Sequence, residues 1–217
     1  DHPQLRWDNF LEVFRNFGSG GPRAEVSVAV PRDIALTLGV VSASALISGL
    51  HTDAKLNTVS GDIMVDGLVG DLNLNAVSGD VQVRELQGAL SANSVSGDVA
   101  VTGAVTRASI DTVSGAMLVD STGPVQSIGL NSVSGSATIR LDRGLPANYV
   151  SRSVSGRVQI DGQVRSGSGP TTYTGSSGAL AGTFVDVRAN TVSADITVLR
   201  RGLSGLRPDE LATEEEW

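Results

Sequence analysis

The 217 residues suffice for one domain, or one domain with an appendage. Hydrophobic residues make up 40% and aromatics only 4%, so the core is built from Val, Ile, Leu and Ala; 18% charged residues and a net charge of −7 argue against a charge-rich disordered chain and against a nucleic-acid partner, because phosphate contacts need clustered Lys and Arg. With no cysteine and two histidines the sequence excludes disulfides and a Cys nucleophile and argues against a His-based metal site or triad, and no run of eighteen apolar residues is present to span a membrane as a helix.

The chain starts at Asp1 with no signal-peptide pattern behind it. It is expected to be a fragment or a processed form whose upstream segment is missing, which leaves the compartment open between cytoplasm and cell envelope. Residues 1–21 form a distinct lead-in. Trp7, Phe10, Phe14 and Phe17 are four of the eight aromatics, and with Leu11 they fall on one face of a helix. Pro3 and Gly18 punctuate it. The expected role is a cap over the first coil; a docking helix, a membrane-surface anchor and an irregular extended segment are the alternatives. The polar side carries Arg6, Asp8, Glu12 and Arg15, which balance, so it lacks the basic face of a membrane-surface helix. Gly18 to Gly21 reads as a hinge. Val26, Val28 and Val30 alternate as a strand that Pro31 ends.

Residues 22–201 are dominated by a repeat. Val-Ser-Gly recurs with its serine at Ser60, Ser78, Ser96, Ser114, Ser134 and Ser155, at spacings of 18, 18, 18, 20 and 21. Weaker copies stand at Val41-Ser42-Ala43 and Val192-Ser193-Ala194, as degenerate terminal repeats of an array should, and the copy missing before the last is expected at Ser177-Gly178. Within a unit apolar residues alternate, as at Ile63 and Val65 and at Leu72 and Leu74, which is the period of a strand facing a core. Asp66-Gly67, Thr102-Gly103 and Asp161-Gly162 read as turns at one offset. Asn57, Asn75, Asn93, Asp111, Asn131 and Asn190 lie three residues before each serine and read as a second corner. An eighteen-residue unit is too short for helical repeats or propeller blades. It fits one coil of an all-β, single-stranded parallel β-helix, three-sided and preferably right-handed, of nine or ten coils. Like side chains then stack ~4.8 Å apart. The expected ladder contains Asn57, Asn75, Asn93 and Asn131 with Ser60, Ser78, Ser96 and Ser114. A sandwich of antiparallel hairpins is the alternative, and it would need turns at irregular spacing without a strict ladder. Residues 166–169 and 175–178 read as loops that bulge where the spacing stretches, and residues 202–217 as an acidic solvated tail.

One constellation carries chemistry. Asp62, Asp80 and Asp98 share an offset in three consecutive coils, so they stack as a carboxylate column. Such a column suits an opportunistic cation such as Ca²⁺. Its spacing also approaches the ~5–5.5 Å of a retaining glycosidase pair. Ala116 and Ser136 bracket it and no aromatic platform for a sugar is nearby, so a structural turn is the expected role. The repeated serines lack the context of a nucleophile elbow. His51 reads as an exposed turn residue. No catalytic residue and no cofactor are expected.

The runs Leu56–Val65 (LNTVSGDIMV), Leu74–Val83 (LNAVSGDVQV) and Ala92–Val101 (ANSVSGDVAV) resemble the bacterial β-strand-repeat domains labelled adhesins, also called Toastrack domains. The resemblance covers about 24–200, and Leu5 to Phe10 looks like the lead-in of actinobacterial members. It implies a non-enzymatic solenoid scaffold, binding a protein partner or itself, with links to envelope stress or adhesion. Some members lack signal peptides, and the part upstream of the repeats is usually β-rich. A self-assembling bactofilin-like structural protein is the first alternative, and a polysaccharide-active β-helix enzyme using the Asp column is the second.

Overall fold

The computed structural model describes residues 26–166, 169–178 and 182–201. The expected cap at Trp7, Phe10, Phe14 and Phe17, the glycine hinge and the acidic tail lie outside the described residues. The strand expected over Val26, Val28 and Val30 does not form: residues 26–30 carry no strand and are exposed. Alternation alone does not make a strand, because its backbone groups need a ladder partner. The solenoid is described from Pro31 onward, and the described residues contain no helix long and apolar enough to cross a membrane.

Six turns follow one another in chain order. The first rung is β1 (Leu36–Ser42) with β2 (Ala45–Ser48), and the second is β3 (Ala54–Ser60) with β4 (Ile63–Asp66). The third opens with β5 (Leu72–Ser78). β6 (Val81–Ser96) and β7 (Val99–Ser114) run through the bends, each finishing one rung and opening the next. β8 (Met117–Ser121) closes the fifth rung, and β9 (Ser127–Ser132) with β10 (Ala137–Leu141) makes the sixth. Every one of these rungs pairs in parallel with the rung before it. The register keeps like positions together, as in Leu38↔Leu56↔Leu74↔Ala92↔Ile110↔Leu130. Two broad faces result, and a short third edge near Leu50, Leu68 and Leu86 closes the section.

Inside, five apolar columns fill the rod, two from each broad face and one from the third edge, which contains Leu50, Leu68, Leu86, Val105 and Val125. Side chains with a rung on either side are dry, while Leu36, Leu38 and Ala45 of the first rung are half-buried; burial of a Val, Leu or Ile contributes roughly 1.5–3 kcal/mol. The section is narrow, and the one fully buried ring among the described residues is Tyr149, near the far end.

The corner after each serine explains the glycines. Gly97 has φ +123°, and a Cβ there would lie 2.2 Å from the Gly79 carbonyl oxygen; Gly79 and Gly115 repeat the arrangement. Both the backbone conformation and the closeness of the next rung demand glycine.

Beyond Leu141 the order changes, and the expected nine or ten coils in succession are not found. β11 (Ala147–Ser153) and β12 (Val158–Ile160) form the eighth rung, leaving a place below them. Asp161 and Gly162, at φ +48° and +83°, then reverse the chain in a two-residue hairpin. β13 (Gln163–Arg165) and β14 (Thr171–Ser177) lie antiparallel on β12 and β11 as a ninth layer. β15 (Val185–Thr191) and β16 (Ile196–Arg200) return to fill the seventh rung, β15 between β9 and β11 and β16 between β10 and β12. Three expectations are corrected here. Val192-Ser193-Ala194 is an interior rung and not a terminal one. Ser177-Gly178 is no missing copy, since Ser177 ends an antiparallel strand opposite Ala147. Asp161-Gly162 is a hairpin and not the coil turn found at Asp66-Gly67.

Arg200, at the end of the interposed rung, ties this region together. Its guanidinium donates to the carbonyls of Asp142 at 2.9 Å and Leu145 at 2.6 Å, to the Tyr149 hydroxyl at 2.5 Å, to Asp161 Oδ1 at 3.2 Å, and to the Ser177 hydroxyl. The Tyr149 hydroxyl in turn donates to Asp161 Oδ2 at 3.0 Å. Burial pushes the Tyr149 pKa above the ordinary tyrosine value, against the lowering effect of its Ser177 hydrogen bond and of Arg200.

Three outcomes follow for stability, each read from denaturant midpoints. Gly97→Ala is expected to cost at least about 2 kcal/mol, from strained φ plus the carbonyl clash, whereas Gly144→Ala, with open space around it, stays within about 0.5 kcal/mol. Arg200→Met is expected to lose about 2–4 kcal/mol, because it strips partners from several part-buried groups at once. With its folded pKa raised, Tyr149 binds its proton more tightly folded than unfolded, so stability falls as pH climbs through about 10, and Tyr149→Phe flattens that fall.

Candidate binding face

Strand parity decides what the first broad face presents. In β3, Ala54, Leu56 and Thr58 point in, and Lys55, Asn57 and Val59 point out. The same parity holds rung after rung, so three columns run along the outside of the rod. The first contains Thr37, Lys55, Asn73, Ser91, Ser109 and Gly129 over the first six rungs. The second contains Gly39, Asn57, Asn75, Asn93, Asp111 and Asn131. The third is the valine of each Val-Ser motif.

The asparagines stand in mid-strand, not at the corner expected for them, and none has a positive φ. Their role is the amide ladder. Asn75 donates to Asn57 at 3.0 Å and Asn93 to Asn75 at 3.1 Å. Asn131 donates to Asp111 at 2.7 Å, and Asn190, from the interposed rung, donates to Asn131 at 2.8 Å. A carboxylate cannot donate, so the chain of amides is interrupted between Asn93 and Asp111.

The serine hydroxyls point back along the rod. Ser60 donates to the Val41 carbonyl at 3.2 Å, Ser78 to Val59 at 3.1 Å, and Ser96 and Ser114 to Val77 and Val95 at 3.4 Å. The aspartates do related work at the corner. Asp62 Oδ1 accepts the backbone N–H of Asp80, and Asp80 Oδ1 that of Asp98, both at 2.9 Å; Asp98 Oδ1 accepts that of Ala116 at 2.7 Å. A parallel set joins Asp53 to Asp71 and Asp71 to Ala89. Each carboxylate thus satisfies a donor that the bend would leave unpaired. Among the described residues no group of three or more His, Asp or Glu is placed to hold a metal ion. His51 is exposed on the turn before β3, and its backbone N–H donates to the Arg32 carbonyl.

The valines differ from everything around them. In spatial order they are Val41, Val59, Val77, Val95, Val113, Val133, Val192 and Val154, one on each of the eight parallel rungs. Seven are 46–50% exposed and Val41 is 71% exposed. Between this ridge and the asparagines runs a shallow groove of about 580 Å³ over the first four rungs, floored by Val40, Thr58, Ala76 and Ser94. A second stretch of about 250 Å³ continues it between Asn131 and Val133 and between Asn190 and Val192.

The Toastrack DUF4097 family model matches residues 6–199. The chain belongs to the Toastrack family. No curated protein and no solved structure matches it. Toastrack membership agrees with the solenoid and supports a scaffold or binding module in general.

The ridge is what the sequence reading passed over in this Toastrack chain. In the repeat the valine reads as a marker of the motif. Its parity was available: Val59 lies three residues from Leu56, so in one strand the two must face opposite ways. The exposure at half was not available, because it depends on how closely the neighbouring columns stand.

Folding and display separate cleanly between adjacent columns. Asn75→Ala breaks one amide bond on either side and is expected to cost about 1–2 kcal/mol. Val77→Thr keeps the β-branch on an exposed position and is expected to change stability by less than about 0.5 kcal/mol. Urea melts of the two variants check this, and equal losses would make the valine ridge structural.

Proposed function

We propose that this Toastrack domain is a non-catalytic rod that presents its asparagine–valine face to a protein partner. The observation that carries the reading is the unbroken ridge of half-exposed valines. An apolar line extending over eight rungs exceeds the scattered exposed apolar residues of an ordinary surface. The fold itself draws little from it, while amide, hydroxyl and carboxylate columns beside it hold the rungs together. The aspartates and serines that would have to do chemistry are engaged in those rung-to-rung bonds, which supports display over turnover. The setting we propose is the bacterial cell envelope, in stress response or adhesion, on the strength of the family resemblance.

End-to-end assembly of the bactofilin kind draws less support. Among the described residues the far end finishes in the antiparallel layer of β13 and β14, which does not offer the next parallel rung a matching template.

The test compares the full chain with Val77→Lys/Val95→Lys, and with Met64→Lys on the other broad face, for capture of proteins from a bacterial envelope extract. Binding specific to the parent and Met64→Lys, and lost from the double variant, is the expected result. Capture that is indifferent to all three overturns the assignment of the face. Hydrolysis of a glycan panel that Asp80→Ala abolishes would overturn the non-catalytic reading.

A further inference from the structure

We infer that the asparagine–valine face takes a second copy of this chain, rod beside rod and pointing the same way. The inference rests on the reading of that face as the working surface, and it names the partner.

Period is the first argument. The ridge repeats every ~4.8 Å along the rod. A helix laid along it repeats every ~5.4 Å and a strand every ~6.6–6.8 Å, so either falls out of step within a few rungs. A second rod of the same kind repeats identically and stays in step over all eight.

Shape is the second. The face has one ridge and, one residue to its side, one groove. A two-fold axis parallel to the rod, placed between them, drops each copy's ridge into the other's groove. Such a contact is isologous and closes on itself. A two-fold axis across the rod would set ridge on ridge and leave both grooves empty, so the parallel arrangement is the one that packs.

Area and charge complete the case. Eight rungs give about 38 Å of length, and three outward columns with their margins give about 20 Å of width, hence roughly 750 Å² per copy; a standard stable interface uses about 800 Å² per partner. Over the eight rungs the twenty-four outward positions hold four charged residues, Lys55, Asp111, Arg188 and Arg152, with Arg152 in the asparagine column like Asp111. The parallel arrangement shifts the two asparagine columns to opposite sides of the ridge, so the two copies of Asp111 stand about three residues, roughly 10 Å, apart, near the screening length in physiological salt.

The chain has no cysteine, so introduced thiols report cleanly. Val59→Cys, Val95→Cys and Val192→Cys are made singly in the full chain, with Thr138→Cys on the other broad face as control. Sedimentation is followed from tens to hundreds of micromolar for the parent and for Val77→Lys/Val95→Lys. The expected results are a doubling of sedimenting mass in the parent, its loss in the double variant, and disulfide dimers in each valine-to-cysteine chain forming about ten-fold or more faster than in the control. Mixed Val59→Cys and Val192→Cys chains should each link only to their own kind. A monomer throughout, with cross-linking no faster than the control, overturns the inference. Links between Val59→Cys and Val192→Cys without self-links overturn the parallel arrangement. If the parent stays monomeric while the double variant still loses envelope capture, the face binds a different protein and the second-copy reading alone falls; if neither changes, both readings fall.

Discussion

Every turn of this rod must come back to the place where the last one began. Parallel ladders on two faces enforce that return, and the corner after each serine sets its tolerance. Where glycine follows the serine, one backbone passes so close to the next that the position has no room for a side chain: a Cβ on Gly97 would stand 2.2 Å from the carbonyl of Gly79, whereas Ala194 of the seventh rung holds the same position without a positive φ. The amide, hydroxyl and carboxylate columns are consequences of the same return, since like residues meet only because turn length is held. Where the spacing grows from 18 to 20, the added residues go to the short third edge. Val101↔Val119 is an eighteen-residue step, and Arg107↔Ser127 is a twenty-residue step. Between them the third edge carries almost no ladder, so it absorbs the change without disturbing either broad face.

Much of this is legible in the residues. Period-two alternation beside a fixed repeat can be satisfied by few architectures, and Ile63 with Val65 or Leu72 with Leu74 defines the inner columns directly. The placement of the asparagines was not legible. Asn three residues before a recurring motif fits a left-handed corner as well as a mid-strand ladder, because the side chain favours both. What separates them is whether the next rung brings another amide into reach, and that is a property of the stack. The valines fail in another way. They are the most regular residues in the chain, and regularity in a repeat protein reads as scaffold. Their parity places them outside, yet how much of each remains uncovered depends on the Asn and Ser columns that flank it.

The far end departs furthest from the simple repeat, and the reason is physical. Local signals identify a unit and its internal turns, but the neighbour of each unit is chosen by packing. Val192-Ser193-Ala194 carries the right signature for a rung, with Asn190 at the right offset. Nothing within it says that it lies below Val154-Ser155-Gly156. The choice is written instead in side chains outside the repeat. Arg200 gathers two loop carbonyls, a buried tyrosine, an aspartate on the reversing hairpin and a serine from the antiparallel layer. The hairpin at Asp161-Gly162 carries the ordinary two-residue signature, but the coil turn at Asp66-Gly67 uses the same pair.

The interposed seventh rung also bears on how the protein is made. A ribosome delivers the eighth rung and its antiparallel cover before it delivers β15 and β16. The seventh rung is therefore completed only after the rungs on both sides of it have been synthesised. Contacts between chain-distant segments, such as Asn190 with Asn131 and Arg200 with Asp142, are what place that rung.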